Sequence, residues 1–276
     1  MPIKPVTHTR PYAPELAPTG ERPVRVGARD LNAAELVSRH NHPYGQLTYA
    51  IDGLMRVTVD DATWIVPPQR AIWIPPLVFH EVETLEMARL RVLRIDRSAS
   101  PFEGSVCVVI DVTPLLRELI LALIDCEEES PREALLAGLA LDEVSRSATL
   151  PMCVPLPRDK RLRSLCDMLI ADPASPFTLE EWAKKTGASS RTLARLFERE
   201  LGMSFGQWRQ QVRLAHAAPL IARGMPLSRV AAELGYASQS AFSAMFKKTF
   251  GQSPSSFFAD ALPSPKPSQR IHQEQP

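Results

Sequence analysis

Two hydrophobic periods divide this chain. From Val24 to Val112 the apolar residues come in short runs, each closed by a turn signal. Gln46–Asp52 precedes Gly53, Leu54–Val59 precedes Asp60-Asp61, Thr63–Val66 precedes Pro67-Pro68, and Ala71–Ile74 precedes Pro75-Pro76; Val78–Val82, Met87–Ile95 and Val106–Val112 follow. Many short strands at roughly 8–12-residue spacing predict an antiparallel barrel or sandwich. From Thr113 the period changes. Leu115, Leu116, Leu119, Ile120 and Leu123 recur at helical spacing, as do Leu135, Leu136, Leu139 and Val144, which predicts two helices broken near Ser130-Pro131. Such a pair can join two copies of a chain or simply cover a sheet, and the pattern supports both.

Leu150–Pro157, with three prolines, reads as a linker. Beyond it the helical period dominates. Leu162, Leu165, Cys166, Leu169 and Ile170 share one face, stopped at Asp172-Pro173. Thr178 with Glu181 forms a capping box that opens a second helix. Trp182 and Ala183 are its inward residues, and Gly187 marks a turn. Ser189 caps a third helix with Leu193, Leu196 and Phe197 inward, ending at Gly202. A shift of 49 residues maps this unit onto a second one: Ala183 to Ala232, Ser189 to Ser238, Leu193 to Phe242, Leu196 to Met245, Phe197 to Phe246 and Gly202 to Gly251. An internal repeat of caps, core and stop is the mark of duplicated supersecondary structure, here two helix-turn-helix units.

Ser204–Arg223 lies between the units, with a capping box at Ser204 and Gln207 and a stop at Gly224. Helix over that length spans ~30 Å, close to the ~34 Å between successive major grooves on one face of DNA. Pro219 falls inside it and predicts a bend or an early end. With the anchors inward, Ser190, Arg191, Ala194 and Arg195 point outward on the first recognition helix. Arg191 and Arg195, one turn apart, can reach guanine edges or phosphates. On the second recognition helix, capped by Ser238, the outward set is Gln239, Ser240, Ser243 and Ala244, all short or uncharged, with Lys247 and Lys248 placed for phosphates. The first unit is therefore the expected base reader and the second mainly a positioner.

Charge supports a polyanion partner. Residues 1–157 carry 15 Lys+Arg against 21 Asp+Glu, a net −6, whereas residues 158–262 carry 15 against 9, a net +6. The four cysteines fit no metal or redox spacing. No apolar run approaches the ~20 residues of a membrane helix, and the Pro-rich start lacks the apolar region of a signal peptide, so a cytoplasmic protein without membrane contact is expected. Residues 1–22 and 263–276 read as disordered tails.

Gly235-Tyr-Ala-Ser-Gln-Ser-Ala-Phe-Ser-Ala-Met-Phe-Lys-Lys-Thr-Phe-Gly-Gln-Ser-Pro254 resembles the signature of the AraC/XylS family of bacterial transcription regulators. The resemblance covers about 158–260. It implies a homodimeric activator or repressor that binds double-stranded DNA, responds to a small-molecule effector and can engage RNA polymerase. The sequence departs from the family at Ala244, where members often carry a base-contacting arginine, at Phe257-Phe258, where an aromatic is usually followed by arginine, and at Pro219.

In the N-terminal half, His40-Asn-His42-Pro-Tyr-Gly-Gln46 resembles the first cupin motif, with Gln46 in the usual glutamate slot. Pro75-Pro-Leu-Val-Phe-His80 resembles the second, with Leu77 in a glycine slot. His40 and His42, two apart on a strand, share a face, and a third imidazole, His80, could complete an open facial site. The candidate metal ligands are thus His40, His42, Gln46 and His80, and a divalent metal is the one cofactor they suggest. Members of the family commonly use this domain for an organic effector instead. A pocket lined by Tyr44, Gln46, Tyr49, Trp64, Trp73 and His80 would suit a small aromatic or heterocyclic compound.

The resulting expectation is a two-domain α+β chain. A cupin-like barrel covers 23–112, a helical segment that can serve dimerisation 113–149, a linker 150–157 and a DNA-binding domain 158–262. The leading function is an effector-responsive regulator. A metal-responsive regulator and, behind it, a metal-dependent cupin enzyme with a DNA-binding appendage are the alternatives. No catalytic residue is assigned.

Overall fold

Ala62–Val66 and Arg70–Ile74 are buried throughout because both of their faces are covered, whereas other strands of the N-terminal half alternate. In a computed structural model, which describes residues 6–8, 17–150 and 152–257, strands β1 (Val6–His8), β2 (Val24–Leu31), β3 (Glu35–His40), β4 (Gly45–Asp52), β5 (Met55–Thr58), β6 (Ala62–Val66), β7 (Arg70–Ile74), β8 (His80–Thr84), β9 (Ala88–Ile95), β10 (Val108–Asp111), β11 (Thr149–Leu150) and β12 (Cys153–Pro155) form two six-stranded sheets. Their orders are β1-β3-β8-β5-β6-β12 and β11-β10-β7-β4-β9-β2. Apart from the parallel β1–β3 pair, the ladders are antiparallel. The expected barrel is an open one: no ladder joins the two sheets among the described residues. They meet instead through side chains, with Met55, Val57, Trp64 and Val82 of one against Ala50, Ile72, Ile74 and Leu90 of the other.

Helices α1 (Pro114–Ile124) and α2 (Pro131–Arg146) break where expected, at Ser130, whose hydroxyl accepts the Glu133 N–H. They cover the outer face of the second sheet. Leu116, Leu119, Ile120 and Leu123 of α1 pack there with Leu47, Tyr49, Trp73 and Leu93. The expected apolar stripe of α2 is revised. Its buried residues are Ala137, Ala140 and Val144, while Leu135 and Leu139 are 76% and 45% exposed. Small side chains let α2 lie close, which turns Leu135 and Leu139 outward while Leu136 stays packed against the core.

Segment 150–157 is no free tether. Leu150 pairs with Val109 in β10, and Cys153–Pro155 pair with Trp64–Ala62 in β6, so it extends both sheets. The first expected tail is likewise tied where it is described. Val6–His8 pair with β3, and Arg22 meets Glu133 at 2.7 Å. The 263–276 expectation, and residues 258–262 of the DNA-binding domain, lie outside the described residues.

The C-terminal domain comprises α3 (Lys160–Ala171), α4 (Leu179–Thr186), α5 (Ser190–Leu196) with a π turn at Phe197–Leu201, α6 (Phe205–Ala222), α7 (Leu227–Glu233), α8 (Gln239–Phe250) and α9 (Pro254–Phe257). Both predicted capping boxes are formed, at Thr178–Glu181 and Ser204–Gln207. Gly187, Gly202 and Gly251 each end a helix in the left-handed region. Pro219 neither ends α6 nor splits it: the helix runs on to Ala222. The Arg223 N–H bonds back to the Pro219 carbonyl at 3.2 Å and closes the last turn.

The domains share apolar surface. Ile65, Val154 and Leu156 of the sheet domain cluster with Trp208, Val212 and Ala215 of α6 and with α3. The Trp208 indole donates to the Pro155 carbonyl at 2.7 Å. At the other end, the Arg70 guanidinium donates to the Phe257 carbonyl at 3.2 Å and lies over its ring, and Arg223 pairs with Glu86.

Candidate sensory centre and nucleic-acid interface

Three imidazoles converge at one end of the sheet domain. His80 opens β8 directly opposite His40, the last residue of β3, beside a register shift in that strand. His42 lies just past the end of β3 rather than on it, yet its ring joins the same group. It stacks on Tyr44 at 4.4 Å and 5°. Ring centroids are 4.3 Å apart for His40–His80, 5.1 Å for His42–His80 and 6.0 Å for His40–His42. One nitrogen of each ring lies within 4.8 Å of the others. Leu77, in the slot where the motif has glycine, takes φ 65° and donates its N–H to the His42 carbonyl at 2.8 Å. That bond ties the His42 turn to the turn before His80.

The hydrogen bonds fix the tautomers. Nδ1 of His40, His42 and His80 lies 2.8, 2.6 and 3.0 Å from the carbonyls of Ser38, Tyr44 and Val78. A carbonyl only accepts, so each Nδ1 carries the hydrogen. Nε2 of His42 and of His80 is buried with no hydrogen-bond partner. Burial pushes the His42 ring down to about 4 and the His80 ring down to about 3, so both Nε2 atoms carry lone pairs near neutral pH. An imidazole pinned through Nδ1 with Nε2 free and convergent is the state a metal requires. The donor set fits an imidazole-preferring divalent transition metal.

The aromatic residues proposed around a pocket do not converge. Trp64 faces the interior between the sheets. Tyr49 and Trp73 alternate to the opposite face and pack beneath α1 and α2. Only Tyr44 touches the histidines. Gln46 is opposite Ile74, on the interior side, and donates to the Thr48 hydroxyl at 3.0 Å.

Arg94 escaped the sequence reading, although strand alternation marks it. On β9 it shares parity with Ala88, Leu90 and Val92, all buried, so an arginine stands at an interior position. It lies opposite Gln46 and acts electrostatically on His42.

In the C-terminal domain, Leu193, Leu196 and Phe197 are buried, and Arg191, Ala194 and Arg195 are exposed, with Ser190 partly so. Phe242 and Phe246 are likewise buried in the second unit, which leaves Ser238, Gln239, Ser240, Lys247 and Lys248 exposed and Ser243 half-exposed. Ala232 departs from its repeat partner: Ala183 is buried, Ala232 exposed, and Ala231 takes the inward place.

The two units are clamped together. Arg209 of α6 donates to the carbonyls of Ser175 and Phe177, and Arg213 to that of Pro173 at 3.0 Å. Arg213 also lies over the Tyr236 ring at 5.2 Å. Gly235, at φ +71°, closes the joint, because a Cβ there would sit 2.8 Å from the Arg213 Nη2 and 3.0 Å from the Ala174 carbonyl. The linker helix thus holds the loop before the first unit against the turn of the second.

Duplicated helix-turn-helix units behind a double-sheet sensory domain define a ligand-responsive DNA-binding regulator. Residues 182–260 match the model of a helix-turn-helix domain, and residues 26–144 that of an AraC-like ligand binding domain. The chain is 36% identical over 223 residues to the HTH-type transcriptional regulator NimR of Escherichia coli, covering 80% of this chain and 81% of that protein. The chain belongs to the AraC/XylS family of transcriptional regulators. More partial likenesses are to the HTH-type transcriptional regulator RipA of Corynebacterium glutamicum, 38% identical over 37% of this chain and 31% of that protein, and to the arabinose operon regulatory protein of Salmonella typhimurium, 31% identical over 53% and 54%. No described helix is long and apolar enough to cross a membrane.

Proposed function

We propose that this regulator reads DNA chiefly through Arg191 and Arg195 and senses a divalent transition metal through His40, His42 and His80. The observation that carries the sensory reading is the pair of buried, unpartnered Nε2 atoms on His42 and His80, each on a ring pinned by a carbonyl. Leaving two buried acceptors unmet costs free energy unless something fills the space between them. Membership of a family of transcriptional regulators favours a sensor over an enzyme. The second sheet's aromatics serve as core beneath α1 and α2.

The test is metal content. Protein purified without a His-tag should hold metal in stoichiometric amount, and a His42→Ala, His80→Ala double variant should hold none. Metal-free protein with an undiminished operator response would overturn the assignment.

We further propose that α2 carries the dimer contact in the cell's cytoplasm. Leu135 and Leu139 lie one turn apart and exposed, and Gly138 between them has open space around it. A two-fold axis across this face would set each leucine pair against its copy. The Leu135→Glu, Leu139→Glu variant should scatter light as a monomer where the parent scatters as a dimer. Equal masses for the two proteins would remove α2 from the interface.

A further inference from the structure

We infer that the histidine centre takes a small carboxylate along with its metal, and that Arg94 receives the carboxylate's charge. The inference rests on the metal reading above. The centre is short of negative charge. Its three ligands are imidazoles, with no carboxylate in the cluster among the described residues, and Gln46 offers a neutral amide where a glutamate would have brought a charge. Beyond the other histidines of the group, the side chains acting on the two buried rings are cationic, Arg94 on His42 and Arg39 on His80.

The two arginines differ in how they are answered. Arg39 meets Asp60 at 2.8 Å and lies over the Phe79 ring. For Arg94 no ion pair with a described residue is found, and its Nη1 is buried without a hydrogen-bond partner. The guanidinium rests over Gly27 of β2, where a Cβ would lie 3.2 Å from Nη1, so the absence of a side chain at 27 leaves it room. A half-buried guanidinium whose buried Nη1 has no acceptor is costly, and a divalent cation placed nearby raises that cost. A ligand whose oxygens reach the metal while accepting from Arg94 answers both charges at once. Metal and carboxylate are therefore expected to bind cooperatively, each tightening the other by the same factor. The burial of His42 and His80, at 3% and 0% exposure, restricts the ligand to a few heavy atoms near the metal.

Cobalt(II), titrated into the metal-free full-length chain, provides the measurement, with its visible spectrum as readout. Acetate and pyruvate serve as probes, and the neutral methyl ester of pyruvate as control. The expected result is cobalt affinity about 10-fold higher with either carboxylate, within the usual range of coupling, altered cobalt absorption, and no effect of the ester. In Arg94→Gln the carboxylate effect should vanish while cobalt still binds; Arg94→Lys, which keeps the charge, should retain part of it and guards against a folding defect. Cobalt binding that ignores both carboxylates, or a carboxylate effect that survives in Arg94→Gln, overturns the inference and leaves the metal assignment standing. Failure of the unmodified protein to bind cobalt at all removes both.

Discussion

Arg195→Ala is expected to weaken binding to the cognate operator by about 1–3 kcal/mol, which is about 5- to 150-fold, with a far smaller loss on random DNA. Arg195 sits exposed in the last turn of α5, one turn from Arg191. The helix is anchored from behind by Leu193, Leu196 and Phe197, so its outward face is fixed. A guanidinium held there offers two parallel donors to the O6 and N7 of guanine, and removing it strands those acceptors on the cognate base. Lys248→Ala provides the contrast. As a phosphate contact it should lower affinity for all sequences alike and reduce the salt dependence. Competition binding against operator and scrambled duplexes measures both. If Arg195→Ala loses affinity equally on the two, the residue touches phosphate, and base reading must lie elsewhere on α5.

Trp208→Ala is expected to cost about 3–5 kcal/mol of unfolding free energy, enough to threaten the fold of the whole chain. The side chain is fully buried, packs against Phe197 with ring centroids 5.8 Å apart, and donates to Pro155 across the domain boundary. Truncation leaves a cavity between α6 and β12 and an unpaired carbonyl. Trp208→Phe separates the two contributions. It keeps most of the ring and loses the bond, with an expected cost of about 1 kcal/mol beyond the change in volume. Chemical denaturation followed by circular dichroism gives these values. A loss below about 1 kcal/mol in the alanine variant would mean that α6 does not bear on the sheet domain.

Local chemistry was legible in the sequence and long-range pairing was not. Thr178 and Ser204 announce their helices through partners three residues away, and the 49-residue repeat places Phe242 and Phe246 of the second unit's core from the first, while it misses by one residue at Ala232. Those signals are short in range, and tertiary packing agrees with them. Tyr49 and Trp73 show the opposite case. Alternation puts Trp73 with Ala71 and sets Ile72 and Ile74 on the other face, but α1 and α2 cover one face of that sheet and the other sheet covers the second, so both parities of β7 are apolar and the inward one cannot be chosen; Tyr49, paired with Leu47, follows Trp73 beneath the helices. The three prolines of 150–157 read as a linker, whereas the segment is held in both sheets. Pairing with β10 and β6 depends on residues tens of positions away. Arg94 was legible in principle, as a charge at a buried parity; His42 was found through its motif although its strand ends two residues earlier.

The strand character of 150–157 bears on any attempt to divide the molecule. Excising the DNA-binding domain at residue 158 would remove β12 from beneath α6, strip the Trp208 indole of its acceptor and bare Val212 and Ala215 to water. A protease would meet the same obstacle, because Cys153–Pro155 are held in a ladder and are not looped out for cleavage. The proline-rich boundary before residue 158 is thus a poor place to cut. A fragment meant to keep the linker helix in its native environment must take β6 and β12 with it.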